Sequence, residues 1–358
     1  MSLSIGIVGL PNVGKSTLFN SLTNNDILAA NYPFATIEAN TGIVPVPDKR
    51  LKVLADIYKA PKIIPATVTF IDIAGLVAGA SKGEGLGNKF LANIRQCDAI
   101  AHVVRAFSDS NILHVENRVD PKKDIEIINT ELILADIQTI ENRLPKLQKE
   151  AKANPKKRAE LEYLNSLLKT LENGTPLSKL EELNYDYIKD LHLLSAKPVI
   201  YIFNVDESTM ADDNKKVELE NLVKPNKATF ICAKLEEELK DLSEEEVMEL
   251  LESYGVKETG LDQVIHAAYD ILGLQSYLTA GDKEIHAWTI KKGWTAPQAA
   301  GVIHTDFEKG FIAASIISYP DLVEAGSEQA VKATGKVRTE GRDYVMQPDD
   351  ICDFRFNV

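Results

Sequence analysis

Residues 9–16 read GLPNVGKS. The run fits G-x-x-x-x-G-K-[ST], a loop whose backbone N–H groups cradle phosphate oxygens. Gly9 and Gly14 permit the tight turn and the close approach of backbone to anion. Asn12, Val13, Gly14, Lys15, Ser16 and Thr17 are the expected phosphate contacts. Lys15 can reach the β- and γ-phosphates, and the Ser16 hydroxyl can ligate Mg²⁺. The flanks supply the required context. Ser4–Gly9 is a short apolar run that reads as a buried strand. Lys15–Thr23 reads as a helix whose positive end faces the same anions.

Outward from this loop, Thr67–Asp72, Ala99–Arg105, Pro198–Asn204 and Ala228–Cys232 are further strand candidates, separated by helical stretches. Strand alternating with helix implies a doubly wound, mostly parallel α/β sheet of the P-loop NTPase kind. From about Ile125 to Leu194 no strand signal appears. There Ile133, Ile137, Ile140, Leu144 and Leu147 step by four and three, as do Leu161, Leu164, Leu168 and Leu171. Two such seams, with Ala153-Asn154-Pro155 between them, predict an inserted antiparallel coiled-coil hairpin. Past Gly281 the regular alternation stops. Glu284–Ile290, Phe311–Ile317 and Val345–Phe356 read as strands and Pro297–His304 as a helix, a small α+β domain. Gly273–Ala280 is the expected boundary. The division expected is a nucleotide-binding domain of residues 1–124 and 197–275, an insert of 125–196, and a C-terminal domain of 281–358.

Apolar residues make up 44% of the 358 and charged residues 26%, enough for a sizeable core. The net charge of −13 argues against a surface that is everywhere a nucleic-acid footprint. A local basic patch remains compatible with it. Cys97, Cys232 and Cys352 are far apart and form no zinc or disulfide pattern. No leader-like start and no apolar run of about 20 residues appears, so the expectation is a cytoplasmic protein without a membrane span.

Three further pieces point to a switch. Residues 72–75 read DIAG: Asp72 can hold Mg²⁺ through a water, and the Gly75 N–H can sense the γ-phosphate. The adjoining LVAGASKGEGLG run is rich in glycine, suited to ordering on nucleotide binding. Upstream, residues 32–36 read YPFAT, where Thr36 can add a second hydroxyl to the metal; the plain alternative is a loop threonine. At the base end, residues 204–207 read NVDE and 232–234 read CAK. GTPases place N-K-x-D and S-A-K there. Glu207 stands at the aspartate position and Val205 at the lysine position, with Asn204, Cys232, Ala233 and Lys234 completing the base contacts.

These motifs together resemble the YchF-type proteins, Obg-related members of the translation-factor class of GTPases. The likeness runs through GLPNVGKS, YPFAT, DIAGLVAGASKGEGLGN, the helical insert, NVDE and CAK. It continues in GDKEIHAWTI, GFI and GRDYVMQPDDICDFRFNV, which look like a TGS module, a small ubiquitin-like α+β domain. The resemblance implies an ATPase rather than a GTPase, a regulatory switch acting near the ribosome. It also supports His114, in NILHV, as the group that orients the attacking water. Leu76 stands where many switch GTPases carry a glutamine and cannot do so.

Between Arg143 and Arg158 lie seven basic residues and one acidic, a basic tip on an acidic protein. It is the candidate contact to ribosome or structured RNA, against the alternative of a solvated helix face. Lys332, Lys336, Arg338 and Arg342 are a weaker second candidate. Asn12 is a candidate ligand for K⁺ near the phosphates, against a turn-holding role. Glu236–Glu252, nine acidic residues against Lys240, reads as a solvated helix. Trp288 and Trp294 read as packing anchors of the C-terminal domain, and Cys232 as a buried, inert thiol. The expected chemistry is ATP hydrolysis by a monomer. A GTPase of the same shape, an RNA-binding adaptor with incidental hydrolysis and, more weakly, a small-molecule kinase are the competing readings.

Overall fold

The computed structural model describes residues 3–23, 40–73, 86–107, 119–239, 242–253 and 255–357. Along them run β1 (Ser4–Val8), β2 (Thr41–Pro45), β3 (Ile63–Ile64), β4 (Thr67–Asp72), β5 (Ala99–Ala106), β6 (Val199–Val205), β7 (Lys227–Ile231), β8 (Leu274–Ala280), β9 (Ile285–Lys291), β10 (Phe311–Ser318), β11 (Arg338–Glu340) and β12 (Asp350–Phe356). They fall into two compact units. Thr69–Leu272 joins the N-terminal segment in one, and Ile43–Val68 joins Gly273–Val358 in the other.

The first unit is built on a sheet of order β2-β4-β1-β5-β6-β7. The pairs β4–β1, β1–β5, β5–β6 and β6–β7 are all parallel. Every residue of β1 and β6 is buried, because helices cover both faces and a strand with two covered faces reads as an unbroken apolar run. This is the P-loop NTPase fold, with the phosphate loop leaving the carboxyl end of β1, where open α/β sheets bind ligands.

The insert is a pair of helices, Pro121–Ala153 and Pro155–Glu172. A single residue joins them. The Asn154 N–H closes the first helix on Glu150 O at 3.0 Å, and its side chain caps the second by accepting from the Lys156 N–H at 3.0 Å. Pro155 sits at the first helical position, where a missing N–H costs nothing. The seams meet in one core of Ile133, Ile140, Leu144, Leu147, Leu164 and Leu171. Leu177, Ile188 and Leu193 from the returning chain close its base.

That base is tied by buried Asp136. Its carboxylate accepts from the Leu194 N–H at 2.7 Å, the Ser195 N–H at 2.8 Å and the Ser195 hydroxyl at 2.6 Å. Asp136→Ala leaves three donors without a partner, and unsatisfied buried groups cost about 1–3 kcal/mol each. Some will find water, so the expected loss is about 2–4 kcal/mol in denaturant unfolding. A loss below about 1 kcal/mol would mean the tie is dispensable.

The second unit has a mixed sheet of order β11-β10-β12-β8-β9-β3. β8–β9 and β10–β12 are antiparallel, whereas β12 and β8 run parallel. Tyr277, Ile290, Phe311, Ile316 and Phe354 fill its core, and Trp288 and Trp294 pack partly buried against it.

The division between the units falls between Leu272 and Gly273, at the start of the expected Gly273–Ala280 boundary, but that stretch is strand and not linker. Gly273, at φ 67°, ends the helix Gly260–Ile271, and the next seven residues are β8 itself. A glycine of this kind marks a helix stop, which a strand can succeed as readily as a linker. Residues 43–68, assigned on sequence to the nucleotide-binding domain, belong to the C-terminal unit. β3 pairs with β9 at Ile63–Ile285 and Ile64–His286. The helix Lys49–Tyr58 anchors through Arg50, which donates to Pro348 O at 2.7 Å and Asp349 Oδ1 at 3.0 Å. No described helix is long and apolar enough to cross a membrane.

Candidate nucleotide-binding site

The loop after β1 turns through Asn12, at φ 63°, and Gly14, at φ 99°. Asparagine is among the few side chains that tolerate the left-handed region. Gly14 has a second reason to be glycine. A Cβ there would stand 2.5 Å from Asn204 Nδ2. The helix starts with the Leu18 N–H donating to Gly14 O at 2.9 Å. Ser16 and Thr17, in its first turn, are exposed, and Val13 is fully buried beneath the loop.

Lys15 is 8% exposed and folds back over its own loop, its Nζ donating to Leu10 O at 2.8 Å. Burial lowers its pKa, and the negative charge of Asp72 opposes that shift. Asp72 mirrors it: burial raises its pKa and Lys15 opposes. The β1–β4 register sets Asp72 beside Ile7, two residues before the loop opens. His102 on β5 is held neutral, its pKa pushed down to about 3 by burial and by Lys15.

Asp72 Oδ1 is buried and has no hydrogen-bond partner among the described residues. A buried carboxylate oxygen with an open lone pair suits the hydration shell of a hard divalent cation. With the exposed Ser16 hydroxyl, the donor set fits magnesium, whose bound ion would neutralise charge on the phosphates. Thr36, Gly75, Leu76 and His114 lie outside the described residues.

At the base end the structure joins four of the six predicted residues in two pairs, Asn204 with Ala233 and Glu207 with Lys234. Asn204 is the last but one residue of β6, and its Nδ2 donates to Val13 O at 3.1 Å. Its Oδ1 accepts from the Ala233 N–H at 3.4 Å. One side chain thus stitches the phosphate loop to the CAK loop, a role beyond the base contact expected of it. Glu207 opens the short helix Glu207–Met210, and Lys234 reaches it with Nζ 2.7 Å from Oε1. Val205 and Cys232 are buried. Burial raises the Cys232 pKa, which disfavours the reactive thiolate.

Glu236 departs from the expected solvated helix. The acidic run is two helices, Ala233–Leu239 and Glu244–Ser253, and Glu236 on the first is only 4% exposed. Nothing in a run of charges marks which member turns inward. The second basic patch also dissolves. Lys332 pairs with Glu328, Lys336 with Asp321 and Glu324, Arg338 with Glu340 and Asp350, and Arg342 donates to Phe311 O.

A parallel sheet, a glycine-bent loop at the end of β1, and a buried lysine and carboxylate beside it define a P-loop nucleoside-triphosphate hydrolase. A family model described as a 50S ribosome-binding GTPase matches residues 4–143, and one named for the C-terminal part of YchF GTPases, of unknown function, matches 274–357. The ribosome-binding ATPase YchF of Bacillus subtilis (strain 168) is 50% identical over 369 residues, spanning 100% of both chains. The protein of that name from Haemophilus influenzae is 50% identical over 363 residues, again with 100% of both covered. The solved YchF GTPase of Schizosaccharomyces pombe is 40% identical with a TM-score of 0.86, over 99% of this chain and 98% of that one. The chain belongs to the YchF family.

Proposed function

We propose that the chain is an ATP-hydrolysing switch that binds the ribosome. The names of its relatives divide between ATPase and GTPase, so the base reader must come from the residues. The carrying observation is the Glu207–Lys234 ion pair at 2.7 Å. Guanine offers paired N1–H and N2–H₂ donors that need both oxygens of one well-placed carboxylate. Glu207 has an extra methylene and one oxygen engaged by Lys234. Adenine presents N6–H₂ and N1 instead and makes no such demand. A site lacking paired partners loses several kcal/mol of discrimination. The expected dissociation constant for ATP is at least about tenfold below that for GTP, each measured by titration calorimetry. GTP binding tenfold tighter than ATP would sink the reading.

Ser16, Thr36 and Asp72 hold Mg²⁺ in this reading, Asp72 through a water. The Gly75 N–H senses the γ-phosphate, and His114 orients the water in place of the absent glutamine. Asn12 helps hold K⁺; equal turnover in potassium and sodium at matched ionic strength would remove that role. The C-terminal unit, with parallel β8 and β12 inside an otherwise mixed sheet, is read as the TGS module. The Bacillus subtilis and Haemophilus influenzae relatives are named ribosome-binding, and the hairpin tip is the surface that suits RNA. Lys146, Lys149, Lys152 and Lys156 are exposed there and form no ion pair among the described residues. Arg143 is engaged with Glu150 and Glu160, and Lys157 with Glu160.

A further inference from the structure

We infer that Glu236 is a positioning residue for nucleotide: its buried carboxylate latches the CAK loop to the helix Gly260–Ile271. The inference rests on the base-loop reading of residues 232–234. Only Cys232 lies between β7 and the helix Ala233–Leu239, so Ala233 and Lys234 are the first two residues of that helix. Their height above the sheet is therefore set by what holds this first helical turn. At one end the Ala233 N–H is tied to Asn204. At the other, the Glu236 N–H closes on Cys232 O at 3.0 Å, and Glu236 Oε1 accepts from the Gly260 N–H at 2.7 Å.

Gly260 is the first residue of its helix, so its N–H is one of the orphan donors of a helix start. Thr259, the cap, already serves the Asp262 N–H at 3.0 Å and leaves Gly260 to another acceptor. A carboxylate is the strongest one available, since it bonds the donor and meets the positive end of the helix dipole.

A second observation shows how close the fit is. A Cβ on Gly260 would lie 2.8 Å from Glu236 Oε1, 3.1 Å from Phe230 O and 3.2 Å from Ile231 Cα. The helix start is pressed against both the carboxylate and the last residues of β7, which lead directly into Cys232. Glu236 also lines a small cavity with Gly14, Thr17 and Asn204. Hydrogen bonds run from Asn204 to Val13 O and from the Ala233 N–H to Asn204, and three residues further along the same helix Glu236 meets Gly260. Loosening the Glu236 contact frees the loop that meets the base and leaves the phosphate loop in place.

The test uses the full chain with Glu236→Gln, Gly260→Ala and the double variant, each first checked by circular dichroism and melting. Glutamine keeps an acceptor but loses the charge. Each single variant should raise the KM for ATP about tenfold while kcat falls less than about twofold. The double should be no worse than the poorer single, because both break one latch. Mg-tripolyphosphate, which carries no base, should bind wild type and variants alike. Unchanged KM in folded Glu236→Gln, full additivity in the double, or an equal loss of tripolyphosphate binding would each overturn the inference. Lys234→Ala separates the layers. If it too leaves KM unchanged, the base-loop reading itself fails; if it raises KM while Glu236→Gln does not, only the latch fails.

Discussion

Replacing Lys15 with methionine is expected to cut turnover by about 10²–10³-fold, the range for losing one preorganised charge-stabilising group. The same change should leave the melting temperature unlowered. Lys15 is buried in a site that penalises its charge, as the downward push on its pKa shows. A cation kept there against desolvation is placed for what it meets during the reaction, since burial alone would favour a neutral side chain. Methionine has a similar length and removes the desolvation cost. It abandons the 2.8 Å hydrogen bond to Leu10 O, a loss of about 1 kcal/mol, so the two effects nearly offset. Single-turnover hydrolysis and a thermal melt, run on one preparation, check both halves. Turnover within threefold of wild type would show that Lys15 does not stabilise the transferring phosphate.

Exchanging Lys146, Lys149, Lys152 and Lys156 for glutamate should weaken ribosome binding by at least about 100-fold near 0.15 M salt. These four are chosen because Arg143 and Lys157 are already committed to carboxylates within the hairpin. If each lysine meets one phosphate, the plot of log affinity against log salt should flatten by about three to four units. Hydrolysis without ribosomes should not change, because the four lie on the tip and no nucleotide contact passes through them. Co-sedimentation across a salt series is the measurement. Unaltered pelleting would remove the tip as the contact and return it to a solvated face.

The phosphate loop was legible because its chemistry is local. Eight consecutive residues carry the motif, and the short apolar run before them marks β1. The hairpin was legible for a similar reason, since its seam repeats within each helix and Asn154-Pro155 punctuates the turn. What escaped notice depends on partners distant in sequence. β3 is two residues long and exists only because β9, more than two hundred residues later, offers an edge. Lys336 reads as an RNA-binding cation until Asp321 and Glu324 on a neighbouring helix claim it. Asn204 reads as a base contact, and its further bonds to Val13 O and the Ala233 N–H join partners far from it in the chain. Composition gives the charge of a run such as Glu236–Glu252, and only packing decides which member is buried.

The C-terminal unit cannot be freed by one cut in the chain. A fragment beginning at Gly273 would carry β8 through β12 but leave behind β3 and the helix Lys49–Tyr58. Its β9 would then present a bare row of backbone donors and acceptors, a template for pairing with other copies. Asp349 and the Pro348 carbonyl would lose the guanidinium that pins them. The remaining piece would fare no better, with an arginine and a two-residue strand deprived of their partners. Two stretches far apart in the gene are thus bound to one folding event, and an insertion or deletion in residues 49–64 is a lesion of the tail.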